Sequence, residues 1–147
     1  MLLHNDLVFG LSWRSGSEGK RKAFSAQKRE EGKAISYVQI VDRDGQIFYG
    51  FSTQQIKSKT TRSFAGLVAS SNLYRRVESA AYVFQIEGET FGLICTANGA
   101  VVTGFDVVAD RNTCLDIMSE FVTVASTQGA VSIFSNDTQG AITFSIE

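Results

Sequence analysis

Two aspartates stand four residues apart in the stretch GAVVTGFDVVADRNTCLDIMSEF, residues 99–121: Asp106 and Asp110, the second followed by Arg111. A pair of carboxylates is the minimum equipment for general acid–base work, one protonated and one ionised. The spacing argues against a direct pair. On a strand, residues four apart share a face but lie about 13 Å from each other. If the strand ends near Val108, Asp110 belongs to the turn before a helix, where a carboxylate accepts the free N–H groups of the first turn. Asp106 is then left without a structural job. It and Arg111 are the residues of this stretch that a partner would read, by charge and not by chemistry.

Other chemistries find less. Nucleophilic catalysis needs a base beside the nucleophile, yet the one histidine is His4, near the terminus, and no G-x-S-x-G elbow is present. Cys95 and Cys114 have no CxxC partners and sit in apolar runs, so two free thiols that pack as small hydrophobes are expected. The sequence DRDG, residues 42–45, matches the start of a calcium loop but lacks the later glutamate, and a hairpin turn explains it. Neither G-x-x-x-x-G-K-[ST] nor G-x-G-x-x-G occurs, and the Gly/Ser-rich residues 15–19 lack the spacing of a phosphate cradle. The expectation is therefore no catalytic residue, no metal and no cofactor. A domain of this kind is more often an interaction module than an enzyme.

The charged stretch SGSEGKRKAFSAQKREEGK, residues 15–33, is the exception to an otherwise strand-rich pattern. It sets Lys20, Arg21, Lys22, Lys28, Arg29 and Lys33 against Glu18, Glu30 and Glu31. Its composition predicts a mobile basic loop or a short, weakly held helix. One aromatic, Phe24, and the interspersed glutamates weigh against nucleic acid. Lys20, Arg21, Lys22, Lys28 and Arg29 form a basic patch suited to an acidic protein or an anionic membrane face.

The elements that must position these groups follow from the rest of the 147 residues. Fourteen basic and fifteen acidic residues nearly cancel, and 44% of the chain is apolar, as in a soluble domain. One domain over residues 1–147 would bury roughly 70% of its unfolded surface. There is no signal-peptide pattern, and no apolar run approaches the roughly 20 residues of a bilayer span. Any membrane anchor is expected outside this segment. With thirteen glycines and no proline, Gly, Asn and Asp must make the turns.

DLVFGLSWRS, residues 6–15, alternates so that Leu7, Phe9, Leu11 and Trp13 share a face of one strand. Residues 34–52 predict a hairpin about Asp44-Gly45. Residues 79–108 predict three strands joined at 87–89 and at Asn98-Gly99, and the C-terminal run predicts two more, joined near residues 136–140. Two helices are expected. Residues 61–75 carry the stripe Phe64, Leu67, Val68, Ser71, Tyr74, and residues 111–125 carry Leu115, Met118, Phe121, Val122 and Ala125 behind an Asp110 or Asn112 cap. The sum is an α/β (α+β) domain with a mixed, largely antiparallel sheet of about seven strands and two helices.

Two stretches carry a resemblance: FGLSW, residues 9–13, and GFDVVADR, residues 104–111. Together with the hairpin that follows the first, they resemble the N-terminal cytoplasmic domains of type IVb pilus accessory proteins. That family includes the PilO-type protein of thin conjugative pili and its counterparts in bundle-forming and toxin-coregulated pili. The resemblance implies a reduced actin-like subdomain without nucleotide binding, on the cytoplasmic side of the bacterial inner membrane. It implies a membrane helix beyond this segment. It also implies a non-enzymatic docking role toward two protein partners, the assembly ATPase and the polytopic inner-membrane platform protein, in a platform similar to that of type II secretion. The alternatives are an actin-like nucleotide-binding switch and a small ligand-sensing domain.

Overall fold

Turn chemistry sets the strands. In the computed structural model, which describes residues 1–136, β1 (Leu2–His4) and β2 (Leu7–Phe9) are joined by Asn5 and Asp6, both at positive φ (49° and 64°). That is the backbone of a two-residue turn whose twist suits antiparallel strands. Asn98 and Gly99, at 55° and 84°, do the same between β8 (Thr90–Ala97) and β9 (Ala100–Ala109). β7 (Ser79–Glu87) reaches β8 through Gly88 and Glu89. The hairpin of β4 (Ser36–Val41) and β5 (Ile47–Ser52) has a longer connection than the Asp44-Gly45 dipeptide predicts. The last pair is Val41 with Ile47. Asp42 Oδ1 holds the intervening loop by accepting from the Asp44 N–H (2.9 Å) and the Gln46 N–H (2.8 Å).

The strands of the described residues form three sheets. β10 (Ser132–Asn136), β7, β8 and β9 lie in that order, with β10 parallel to β7 and the others antiparallel. β3 (Ser12–Ser15), β5 and β4 make an antiparallel sheet. β1, β2 and β6 (Arg62–Ser63) make a small one, with β6 parallel to β2. Among the described residues three helices pack on them: α1 (Lys20–Glu31), α2 (Phe64–Arg75) and α3 (Arg111–Ala125). The mixed α/β class with mostly antiparallel strands is as the sequence predicts, but the one sheet of about seven strands is ten described strands in three sheets, and α1 is a third helix. Of the two C-terminal strands expected, β10 is present and the second lies outside the described residues.

β8 is buried on both faces, which its apolar run FGLIC dictates. Leu93 and Cys95 join Ala81, Val83, Cys114 and Phe121 under α3. Ile94 faces the opposite way and meets Val8, Leu11, Trp13, Ala65, Ala69 and Val101. α3 spans the predicted residues, with Asp110 as its cap.

Three further expectations need correction or narrowing. Residues 6–15 are not one strand: Gly10, at φ 82°, breaks them into β2 and β3, and a Cβ there would stand 3.2 Å from the Met1 Cα and 3.3 Å from Val108 Cγ2. On α2 the predicted stripe holds at Phe64 and Val68, which pack against the core, and fails at Leu67, Ser71 and Tyr74. Tyr74 is 90% exposed and Leu67 42% exposed, whereas Ala65, Gly66, Ala69 and Asn72 are buried. The helix lies so close to its neighbours that small side chains must fill the contact. Asn72 donates to Thr96 Oγ1 (2.8 Å) and accepts from the Tyr82 hydroxyl (2.7 Å). Finally, of the mobile loop and the short helix that the composition allows, residues 20–31 take the helix, of three turns. Ala23 and Phe24 pack on Tyr49 and Phe51, and the rest of its anchorage is polar, which hydropathy does not register. Arg14 Nε donates to the fully buried Gln27 Oε1 (2.7 Å), Arg14 pairs with Glu30, and Gln27 Nε2 donates to the Lys33 carbonyl (3.2 Å). Gly32, at φ 80°, ends the helix with its N–H on the Lys28 carbonyl.

Candidate functional site

Asp106 has a structural job after all. Between β8 and β9, Ile94 pairs with Asp106 but Thr96 pairs with Val101, so residues 102–105 of β9 bulge out of the ladder around Gly104 (φ 87°). The bulge re-aims Asp106 at the break between β2 and β3. Its carboxylate accepts from the Gly10 N–H (2.8 Å), the Leu11 N–H (3.1 Å) and the indole Nε1–H of Trp13 (2.9 Å). Only 8% of Asp106 is exposed. Burial pushes its carboxyl above the ordinary carboxylate range, and the three donors act against that shift. Trp13 is itself fixed: it lies across Gly50, where an added Cβ would stand 2.8 Å from indole carbons. The expectation that a partner reads Asp106 by charge is therefore overturned, because the charge is spent inside the fold. The signal that would have found this is Gly10, a glycine interrupting an apolar alternation.

Asp110, four residues on, is exposed. It caps α3 by accepting from the Thr113 N–H (2.9 Å) and the Thr113 hydroxyl (2.8 Å), and these bonds hold its carboxyl below the usual range. The two carboxylates thus serve separate neighbours and form no acid–base pair. Arg111 opens α3 and is partly buried. The negative charge of Asp110 already occupies the N-terminus of α3, the place where a helix would otherwise attract a phosphate.

A cavity of about 440 Å³ opens beside the clasp. Ser12, Arg14, Glu30, Thr103 and Asp106 line it. A second cleft, of about 420 Å³ and more apolar, runs between α3 and β9 past Val102, Phe105, Phe121 and Val124. Cys95 and Cys114 are buried free thiols in the core beneath α3. Burial pushes Cys95 up, and burial with the Asp110 charge pushes Cys114 up to about 11. Neither is poised as a nucleophile. Among the described residues no group of three His, Cys, Asp or Glu side chains could hold a metal, and no helix is long and apolar enough to cross a membrane.

Four of the five predicted basic residues of α1 share one face. At 100° per residue, Arg21, Lys22, Lys28 and Arg29 fall within an arc of about 120° on α1, opposite Ala23 and Gln27. All four are exposed, and none makes an ion pair among the described residues. Lys20 sits apart from this arc. Its Nζ donates to the Tyr37 hydroxyl (2.8 Å) and stands 4.8 Å from the Tyr37 ring centroid. Glu30 is turned away toward Arg14.

No family model and no curated protein matches the sequence. Among solved structures the chain is similar to a protein from Bacteroides thetaiotaomicron VPI-5482 described as having an actin-like ATPase fold and unknown function. The TM-score is 0.50 at 8% identity, over 90% of this chain and 58% of that one. At that identity the likeness bears on architecture alone, and this chain spans little more than half of the longer protein. The order β10–β7–β8–β9, with α3 crossing back to a parallel β10, is the part of the fold best developed here. The domain is a mixed α/β domain of actin-like fold.

Proposed function

We propose that this domain is a non-enzymatic docking scaffold of a type IV pilus assembly platform, similar to that of type II secretion. It would work at the cytoplasmic side of the bacterial inner membrane and bind the assembly ATPase and the polytopic platform protein. One observation carries the reading. The two stretches that resemble the pilus accessory family, residues 9–13 and 104–111, are distant in sequence but form the two halves of one clasp, with Asp106 on one side and Gly10, Leu11 and Trp13 on the other. What the resemblance matches is thus a device that holds the fold together, set within an actin-like architecture. The exposed cations of α1 supply a surface for acidic protein partners.

The test is a pull-down of the full-length product with the assembly ATPase and with the platform protein. Retention of either supports the proposal, and failure of both removes its basis. The fold of the neighbouring structure favours a second reading, a nucleotide-dependent switch. Calorimetric titration with ATP and magnesium separates the two: heat of binding supports the switch, and its absence at millimolar nucleotide supports the scaffold.

A further inference from the structure

β4 ends the β3–β5–β4 sheet, and among the described residues no strand pairs with its outer edge. Natural edge strands are usually blunted by charge, proline, bulges or a covering element. β4 has the sequence SYVQIV, with no charged residue and no proline, and its pairing with β5 runs unbroken from Ser36↔Ser52 to Val41↔Ile47. Tyr37 and Val41 on its outward face are 41% and 42% exposed, Gln39 between them is exposed, and Ile35 just before it is 50% exposed.

One ridge of α1, with Lys20, Phe24 and Lys28 at i, i+4 and i+8, starts at this face and runs on over β5. Lys20 reaches Tyr37, as described. Phe24 stacks edge-on against Phe51, 5.8 Å between centroids, and Lys28 Nζ stands 5.9 Å from the Phe24 ring. Arg21 flanks the ridge. Lys20, Arg21 and Lys28 have no ion-pair partner among the described residues. An uncharged strand edge is therefore reached by Lys20, and Lys28 and Arg21 continue the same side of α1, where the exposed Glu31 is the one acidic residue.

We infer that this edge takes an extended, acidic segment of a partner protein, which adds as a fourth strand beside β4. Main-chain bonds along β4 would hold the segment, and alternate side chains would set its identity. On the α1 side they would be acidic, facing Lys20, Arg21 and Lys28. On the other side, toward Val38 and Ile40, they would be apolar. An anionic membrane would neutralise the cations but leave the β4 main chain unpaired. A second copy of this chain would bring the same cations against them across a two-fold axis. An acidic strand fits both features at once. The inference rests on the docking reading but fails separately from it.

The probe is a capped seven-residue peptide of alternating glutamate and valine, titrated into the isotope-labelled protein, with an alternating lysine and valine peptide as control. The expected result is amide-exchange protection confined to β4, no binding of the lysine peptide, and binding weakened about tenfold or more by K20E/K28E. Val41→Glu, at an exposed edge position, should weaken it independently. Wild-type melting curves of both variants establish that they fold. Protection elsewhere, indifference to both variants, binding by these cations to phosphatidylglycerol vesicles instead of peptide, or dimerisation through β4 without peptide would each overturn the inference. If the assembly ATPase is retained equally by wild type and K20E/K28E, docking stands and this surface falls. If the peptide binds β4 while the ATPase and platform protein are not retained, the reverse holds.

Discussion

Asp106 and Asp110 are the same residue type, four positions apart, in one strand and the cap that follows it. Asp106 is enclosed, bonds to three donors from a distant part of the chain, and has its carboxyl pushed up by burial. Asp110 stands in solvent, bonds to Thr113 three residues away, and has its carboxyl held down. The difference shows that local sequence spacing says little about what a carboxylate does. The bulge at residues 102–105 aims one inward, and the end of β9 leaves the other at a helix start.

The sharpest way to break this contrast is Asp106→Ala. It strands the Gly10, Leu11 and Trp13 donors in a buried site and should cost about 3–5 kcal/mol, a large share of a domain's stability. Urea unfolding followed by circular dichroism measures it; a loss no larger than that of Asp110→Ala would refute the clasp. Trp13→Phe keeps the ring but removes one donor, and should cost about 1–2 kcal/mol by the same measurement. Ser63→Ala removes the acceptor that takes the Gly66 N–H (3.0 Å) at the start of α2, and a loss of about 1 kcal/mol is expected. Asp110→Ala should lower the melting temperature by only about 2–4 °C.

Acid titration sharpens the contrast further, because the two signs are opposite. With its folded pKa raised above the ordinary 3.8, Asp106 binds a proton more readily folded than unfolded. Its contribution is fully present below 3.8 and declines as pH rises through the folded value. With its folded pKa lowered, Asp110 contributes fully above 3.8 and loses that contribution as pH falls through the folded value. The stability difference between wild type and Asp106→Asn should therefore shrink with rising pH, while that for Asp110→Asn grows and then levels off. Parallel curves would mean the two sites do not differ electrostatically.

Much of the fold was legible because local chemistry and tertiary structure agree. Asn98-Gly99 makes the turn it predicts, residues 79–109 make three strands, and Asp110 caps a helix over the predicted residues. The parts that were not legible depend on distant neighbours. Gln27 is polar and fully buried because Arg14 crosses from β3 to meet it, so hydropathy alone could not fix α1 as a helix. Tyr74 is apolar in type but exposed, because Ala65 and Ala69 let α2 approach on another face. The basic residues of the candidate surface were visible as a charge cluster. The uncharged edge of β4, which Lys20 reaches, was not, since edge position follows from sheet order and not from the sequence of the strand itself.

The Asp106 clasp joins residues 93–96 positions apart. Closing a loop of that length carries a large entropic cost before any contact rewards it. The meander of β7, β8 and β9 can form from contacts near in sequence, so the N-terminal strands should dock on it late. Asp106→Ala should then speed unfolding far more than it slows refolding, which stopped-flow kinetics would reveal as a change in the unfolding arm alone. On this account the aspartate is a latch closed last, and it governs how long the domain survives rather than how quickly it forms.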